Sequence, residues 1–403
     1  MQNIVRLIHR VMMVAMLAIA AVSCDDSSET VTVDAYLPID NVKGMATTCA
    51  VVLQAQQGMS YTISVSSDDQ WATFSNGESV VEGHMPDAAT EKIVYIYFTK
   101  NPSGVVREAC VEVIFGSGDK FTLPFRQLTY DSTIAISRDW AELPVCKVDD
   151  RYIYNTHYGA TQTKSYARNY TYCFNPSLRA SIWVAYPLHS SYVTGPADRN
   201  NSFFDYDPLL NSSQQANMRK SYTGRYYDRG HQIPAADRDC SQQMMDQTFY
   251  ATNMTPQHSN FNQKVWASLE GRVRSQICSD TLYVVTGAWF EGVHNSSIDT
   301  STSDISGNIC PTPTHYFKAL LRTDRGNTKR AIADVTEASE LRGIAIWMEH
   351  ADTGTNISIP SSCFISINEL EEMIGFDLFP ALDDAIEEEV EQNVTPSKWG
   401  FGY

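Results

Sequence analysis

The stretch "RYYDRGHQIPAADRDC" sets an acid, a guanidinium, a glycine and an imidazole side by side as Asp228, Arg229, Gly230 and His231. Those residue types suit the cleavage of a phosphate ester. Hydrolysing a phosphodiester requires activating a water, neutralising an anionic phosphorane and stabilising the departing alkoxide. An imidazole with a reference pKa of ~6.5 can be neutral near pH 7 and take the proton from water. A guanidinium grips two non-bridging oxygens together. Gly230 allows a backbone bend beside His231 that a side chain would block. Asp228 reads as a structural residue that holds a hairpin or an arginine.

Two further stretches accompany the first: "ADRNNSFFDYDP" (197–208) upstream and "YATNMTPQHSNFNQKVWASLE" (250–270) downstream. In this order the three resemble the DNA/RNA non-specific endonuclease family, the Serratia-type nucleases with a ββα-metal active site. The resemblance runs from about Trp183 to the C-terminus, and "VVTGAWF" and "YFKALL" are similar to family strands. It implies an α+β nuclease domain built on a mixed or antiparallel central sheet. It also implies roles: His231 as general base, Asn262 as the metal-binding asparagine, and Glu270 as the active-site glutamate. Arg199 aligns with the family's upstream arginine and would join Arg229 on the phosphate. Asn253, within "NMTPQ", would organise the loop around the metal.

The implied cofactor is Mg²⁺, with Mn²⁺ as a substitute. A single neutral amide holds a divalent ion weakly, which suits an ion that keeps most of its waters. Eight residues along a helix rise by ~12 Å, so Asn262 and Glu270 are not both inner ligands of one ion. Glu270 is therefore expected to act through a water of the ion's shell or through an arginine. Products with 5′-phosphate and 3′-hydroxyl ends follow from the resemblance. Little sequence preference is expected on DNA or RNA, because the visible machinery contacts phosphate and not base edges.

The elements that must position these residues are legible in part. Apolar, β-rich runs at 180–188, 280–290, 315–323 and 343–350 predict strands. Val265, Leu269 and Val273 fall four apart and predict an amphipathic helix over 262–278. "SINELEEMIGFDLFPAL" predicts a short C-terminal helix stopped at Gly375. Before residue 131 the texture is all strand, with a hairpin at 110–128 turning at Gly116–Asp119. The expected division is a leader at 1–23, a tether at 24–31, a small β-sandwich at 32–130 and the nuclease domain at 131–403. The sandwich resembles immunoglobulin-like BACON modules; glycan binding is one role open to it, and a spacer is the other.

Arg6 and Arg10 precede the apolar run Val11–Ala21, and "AVSC" ends at Cys24. That pattern predicts a cleaved leader of lipoprotein type, an exported chain, and a membrane anchor through a lipid on Cys24. Eight cysteines remain after Cys24, an even number that predicts disulfides within each region. No CxxC or CxxH spacing occurs, which argues against a structural zinc site. The formal charge of −17 disfavours a polyanion partner for the molecule as a whole. Yet residues 366–403 hold ten acids against one lysine, while 211–240 hold five Lys/Arg against three Asp. The competing readings are a glycan-binding surface lipoprotein with a degenerate nuclease domain, and a phosphodiesterase restricted to one nucleic acid. His157, His189, His315 and His350 show no partner pattern and read as structural.

Overall fold

The computed structural model describes residues 32–129, 141–147, 151–290 and 298–401, apart from a few isolated positions within those spans. The leader, Cys24, the tether up to residue 31 and the expected junction near residue 130 lie outside the described residues.

The architecture is α+β. Its spine is an 11-stranded mixed sheet whose central strands run Leu341–Glu349, His315–Thr323, Leu282–Trp289, Ala180–Leu188, Ala167–Asn175 and Ile153–Gly159 in spatial order. These six pair antiparallel. Every residue of Ala180–Leu188 is buried. A strand covered on both faces reads as a continuous apolar run, which is why "ASIWVAYPL" is visible in the sequence. Ile153–Gly159 and Ala167–Asn175 were not legible, because Asn155, Thr156, His157, Asn169 and Thr171 interrupt them. Each of these polar residues is buried with a partner; Asn155 donates to Tyr172 Oη at 2.7 Å and Thr156 meets Thr171 at 2.9 Å. His157 also has a partner that the sequence did not reveal, Asp207 Oδ2 at 2.8 Å.

Beyond Ile153–Gly159 the sheet continues into the N-terminal region. Ala46–Gln54 pairs parallel with it through Asn155↔Ala46 and Thr156↔Thr47, then pairs antiparallel with Glu91–Phe98. A second, five-stranded sheet carries Lys120–Gln127, Arg107–Phe115 and Ser60–Ser67. The two sheets enclose a separate core of Cys49, Val51, Leu53, Ile63, Val65, Val111 and Val113. Trp71 lies within that core, 5.9 Å from both Phe98 and Phe125.

The structure corrects the disulfide expectation: among the described residues no disulfide is present. In the strand Arg107–Phe115 burial alternates, so Cys110 faces away from the core that contains Cys49. Cys240 Sγ packs 3.5 Å from Met244 Sδ, while Cys278 and Cys310 donate to carbonyls two residues away on their own loops.

At the C-terminus, Ile367–Ile374 begins with a capping box between Ser366 and Glu369 and ends at Gly375, whose φ of 66° is the left-handed cap. A second helix, Asp384–Glu391, packs beside it, so part of the acidic tail is structured. No helix among the described residues is long and apolar enough to cross a membrane.

Candidate active site

A hairpin and a helix build the centre. Tyr227–His231 pairs antiparallel with Met254–His258, and the chain then enters a wide π turn, Phe261–Trp266, followed by the α-helix Ala267–Arg274. The apolar spacing seen in the sequence is the buried side of this unit: Phe261, Val265, Trp266, Leu269 and Val273 enter the main core. The regular helix expected over 262–278 is thus replaced at its start by the wider turn and ends at Arg274. Such turns relax the helical ladder and recur at functional sites. Here the turn carries Asn262.

Gly230 acts differently from expectation. Its φ is not positive, so no bend depends on it. A Cβ there would instead overlap Gln257 Cβ on the partner strand. The glycine is required by close approach within the hairpin.

His231 is set between aromatics and cations. Its ring lies 4.9 Å from Phe249 at 86° and 5.9 Å from Phe204 at 62°. Arg229 Cζ sits 3.5 Å over Phe204, and Arg199 Cζ sits 5.5 Å from the Phe249 ring centre. Neither phenylalanine was legible as a site residue in the sequence, although "SFFDYDP" and "TFYATN" contain them. Burial lowers the His231 pKa to about 3, aided by the charges of Arg199 and Arg229. A hydrogen bond with the Arg229 backbone pulls weakly the other way. Nε2 is buried and has no hydrogen-bond partner. A neutral imidazole bonded to a carbonyl through its other nitrogen keeps its Nε2 lone pair available.

Asp228 organises the opposite side of the hairpin. Its Oδ2 accepts from Asn262 Nδ2 at 2.9 Å and from Gln263 Nε2 at 2.8 Å, while Oδ1 accepts from Ser259 Oγ at 2.8 Å. With its NH₂ engaged, the Asn262 amide is oriented by its nitrogen and keeps its oxygen for another ligand. Asn253 is fully buried and spends its amide on Ile233 N, Ile233 O and Thr248 O, at 3.0, 3.0 and 2.8 Å. It thereby ties the segment after His231 to the second hairpin strand. Arg238 is also fully buried, held by Asn169 and the carbonyls of Asp237 and Pro187, and is a structural residue.

Glu270 lies among charges that the sequence did not point to. Burial raises its pKa, against the lowering influence of Lys318, while Asp237 adds to the rise and Arg274 and Arg199 oppose it. Lys318 is fully buried, donates to Thr286 Oγ1 at 3.0 Å and lies 4.7 Å from the Trp266 ring centre. Arg274 pairs with Asp237 at 2.6 Å, and Tyr186 donates to the other Asp237 oxygen at 3.1 Å. Arg274 stands four residues after Glu270 on one helix face, a spacing that could have singled it out. Arg199 itself is exposed and influences both His231 and Glu270.

The donor chemistry fits a weakly held Mg²⁺ ion. Among the described residues no group of three His, Cys, Asp or Glu converges as a metal site. What the centre offers is one oriented amide oxygen at Asn262, suited to an ion that retains its hydration.

Hairpin, turn and helix, with an imidazole on one strand and an oriented amide on the turn, define a ββα-type centre on an α+β scaffold. The chain belongs to the DNA/RNA non-specific endonuclease family, whose model matches residues 148–385. It is 34% identical over 168 residues to "Endonuclease G, mitochondrial" of Homo sapiens, covering 40% of this chain and 55% of that one. It is 33% identical over 222 residues to "Nuclease C1" of Cunninghamella echinulata var. echinulata, covering 53% of this chain and 82% of the relative. The chain spans about half the length of the first of these relatives. A solved structure, that of the EndoG/EndoGI complex, aligns with a TM-score of 0.41 at 22% identity, covering 53% of this chain and 84% of that one.

Proposed function

We propose that the protein is a Mg²⁺-dependent endonuclease that hydrolyses phosphodiester bonds of DNA and RNA with little sequence preference. The observation that carries this is His231: a neutral base with an unpartnered Nε2, flanked by two arginines. Nε2 takes a proton from the attacking water. Arg229 and Arg199 hold the non-bridging oxygens and balance the charge that grows on the phosphorus centre. Asn262 Oδ1 would hold the ion, which when bound neutralises charge at the departing oxygen. Asp228 keeps the Asn262 amide turned, and Glu270 presents a carboxylate whose ionisation depends on Lys318 and the arginines around it.

Family membership and the relatives named as nucleases support this reading. Export and lipid attachment at Cys24 belong to the same proposal and rest on the N-terminal sequence pattern. Cleavage at a cell surface would then supply or destroy nucleic acid outside the cell. Glycan binding by the N-terminal sandwich is the competing use of the chain; Trp71, buried in the core, is not available as a sugar platform.

The test is digestion of plasmid DNA and of RNA with Mg²⁺ or with EDTA, comparing the native chain with His231→Ala. Cleavage of both polymers, lost with EDTA and lost in the variant, is expected. A native chain that leaves both polymers intact overturns the enzyme reading. A His231→Ala variant as fast as the native chain overturns the mechanism, and cutting of one polymer alone narrows the substrate.

A further inference from the structure

The N-terminal sandwich touches the nuclease domain at a functionally placed element. Tyr95 and Tyr97 occupy alternate positions of the strand Glu91–Phe98 and so project from one face. Tyr95 Oη donates to Gln243 Oε1 on the short helix Gln242–Gln247. Burial and the charge of Asp207 raise the pKa of the Tyr97 phenol. The sandwich therefore reaches the first turn of the helix through Tyr95.

The neighbouring residue on the same first turn bonds the loop that carries Arg199. Gln242 Oε1 accepts from Asp198 N at 3.0 Å, and its Nε2 donates to Ser202 Oγ at 3.0 Å and Asp246 Oδ1 at 2.8 Å. Ser202 Oγ also donates to Asp246 Oδ1 at 2.7 Å. These bonds clamp both sides of the turn Arg199–Asn201, which carries the exposed arginine. Downstream, Asp205 bridges to Tyr250 and fixes the end of the same loop. One six-residue helix thus has the sandwich on one side and the Arg199 loop on the other.

Which contacts hold that helix decides how much the sandwich matters. Its C-terminal half is tied to the central sheet by Asn169 and Tyr170, which bond Met244 O, Gln247 Oε1 and Gln247 O at 3.0, 2.6 and 2.6 Å. Its first turn has the Ser241 Oγ bond to Ala160 O at 2.8 Å and the Gln243–Tyr95 bond. The first turn is the less firmly tied end, so loosening it frees Gln242 and the loop bonded to it.

We propose that the N-terminal sandwich is a positioning element of the active site: through Tyr95, Gln243 and the helix Gln242–Gln247 it holds the loop that carries Arg199. The inference rests on the reading of Arg199 as a phosphate-gripping residue. It gives the sandwich a part in substrate binding in place of a passive spacer's role. Tyr95 and Gln243 are positioning residues, since neither touches the substrate.

Steady-state cleavage of plasmid DNA by the full chain tests it, with Tyr95→Phe, Gln243→Ala, Arg199→Ala and the double variant Gln243→Ala/Arg199→Ala. Each of the first two should raise KM by about two- to ten-fold, the range one hydrogen bond supports, with kcat changed little. Gln243→Glu, which keeps an acceptor for Tyr95, should restore KM. In the double variant the effects should not multiply, because both act through one contact with substrate. Tyr95→Phe keeps the ring's packing and decides the matter if Gln243→Ala fails to fold. An unchanged KM in Tyr95→Phe, or multiplying effects in the double variant, overturns the coupling while leaving Arg199's role intact. An unchanged KM in Arg199→Ala overturns that role and the coupling with it.

Discussion

Asn262 donates its amide nitrogen to Asp228 Oδ2 at 2.9 Å, across the gap between the first strand of the hairpin and the turn that follows the second. An asparagine alone chooses between two amide orientations that differ little in shape. The carboxylate removes that choice: the nitrogen turns toward Asp228, and the oxygen would be left for the proposed ion. The acid of the Asp-Arg-Gly-His sequence is thus a partner of the residue proposed to hold the metal.

Asp228→Ala should therefore weaken Mg²⁺ activation more than it weakens the fold. Losing an orienting partner of a metal ligand costs roughly 10- to 100-fold in metal affinity. The expected result is a rise of that order in the Mg²⁺ concentration for half-maximal activity, with kcat at saturating Mg²⁺ largely recovered. An unchanged Mg²⁺ titration would show that Asp228 does not orient Asn262.

The pH dependence follows from His231. Burial, with Arg199 and Arg229, places its folded pKa at about 3, against ~6.5 in the unfolded chain. The free protein therefore holds His231 neutral above that range, and the acid limb of kcat/KM from this residue should lie near its folded value. A bound phosphate offsets the arginine charges, so the acid limb of kcat should appear at higher pH than that of kcat/KM. Between ~6.5 and about 3 the unfolded chain binds more protons, so this residue destabilises the fold increasingly as pH falls. Unfolding measured across that window should show the slope in the native chain and lose it in His231→Leu.

Gly230→Ala should be destabilising by about 1–3 kcal/mol, the usual range for overpacking. The overlapping atoms are Gln257 Cβ, Oε1 and Cδ, and only Cβ is fixed to the backbone, so the second-site change Gln257→Gly should relieve the clash fully while Gln257→Ala should relieve it only in part. Melting temperatures of the three variants check this, and equal rescue by both second-site changes would show that the Cβ contact is not the cause.

Lys318→Met leaves the buried Glu270 carboxyl without its leading counter-charge and beside Asp237. With less opposing positive charge, a buried carboxyl takes up a proton more readily. The Glu270 pKa should rise further. Activity near neutral pH should fall and return partly as pH increases, read as a basic shift of the rate profile. A profile of unchanged shape would remove ionised Glu270 from the reaction.

Thiol chemistry offers a direct check on the cysteines. The eight from Cys49 to Cys363 should titrate as thiols after unfolding without reductant, and the melting temperature should not respond to reductant. A fall in melting temperature on reduction would show a disulfide that the fold described above does not contain.

Much of this was legible residue by residue. Val265, Leu269 and Val273 marked a helix because burial against one sheet imposes the helical period on apolar residues. Gly375 marked the end of a second helix, because capping is local chemistry; the Ser366–Glu369 box at its start is equally local and was found in the structure. The strand Ile153–Gly159 was hidden for the opposite reason. Asn155, Thr156 and His157 look like loop residues until Tyr172, Thr171 and Asp207 arrive from 15 to 50 positions away to satisfy them. Helix Asp384–Glu391 was hidden by its acids, which read as a solvated run although Glu391 is buried.

By itself the sequence determined the reactive vocabulary: an imidazole beside a guanidinium, a downstream asparagine and glutamate, and the apolar runs that carry them. Residue type and spacing suffice there, because side-chain chemistry and local periodicity need no distant partner. Only the tertiary structure decided what each residue does with its neighbours. It set Phe204 and Phe249 around His231, turned Asn262 by a bond to Asp228, and buried Lys318 near Glu270. It also joined the N-terminal strands to the nuclease sheet, near the helix that bonds Asp198 and Ser202 on either side of the Arg199 turn. Protonation states and amide orientations arise from groups brought together from far apart in the chain, and no local pattern encodes that meeting.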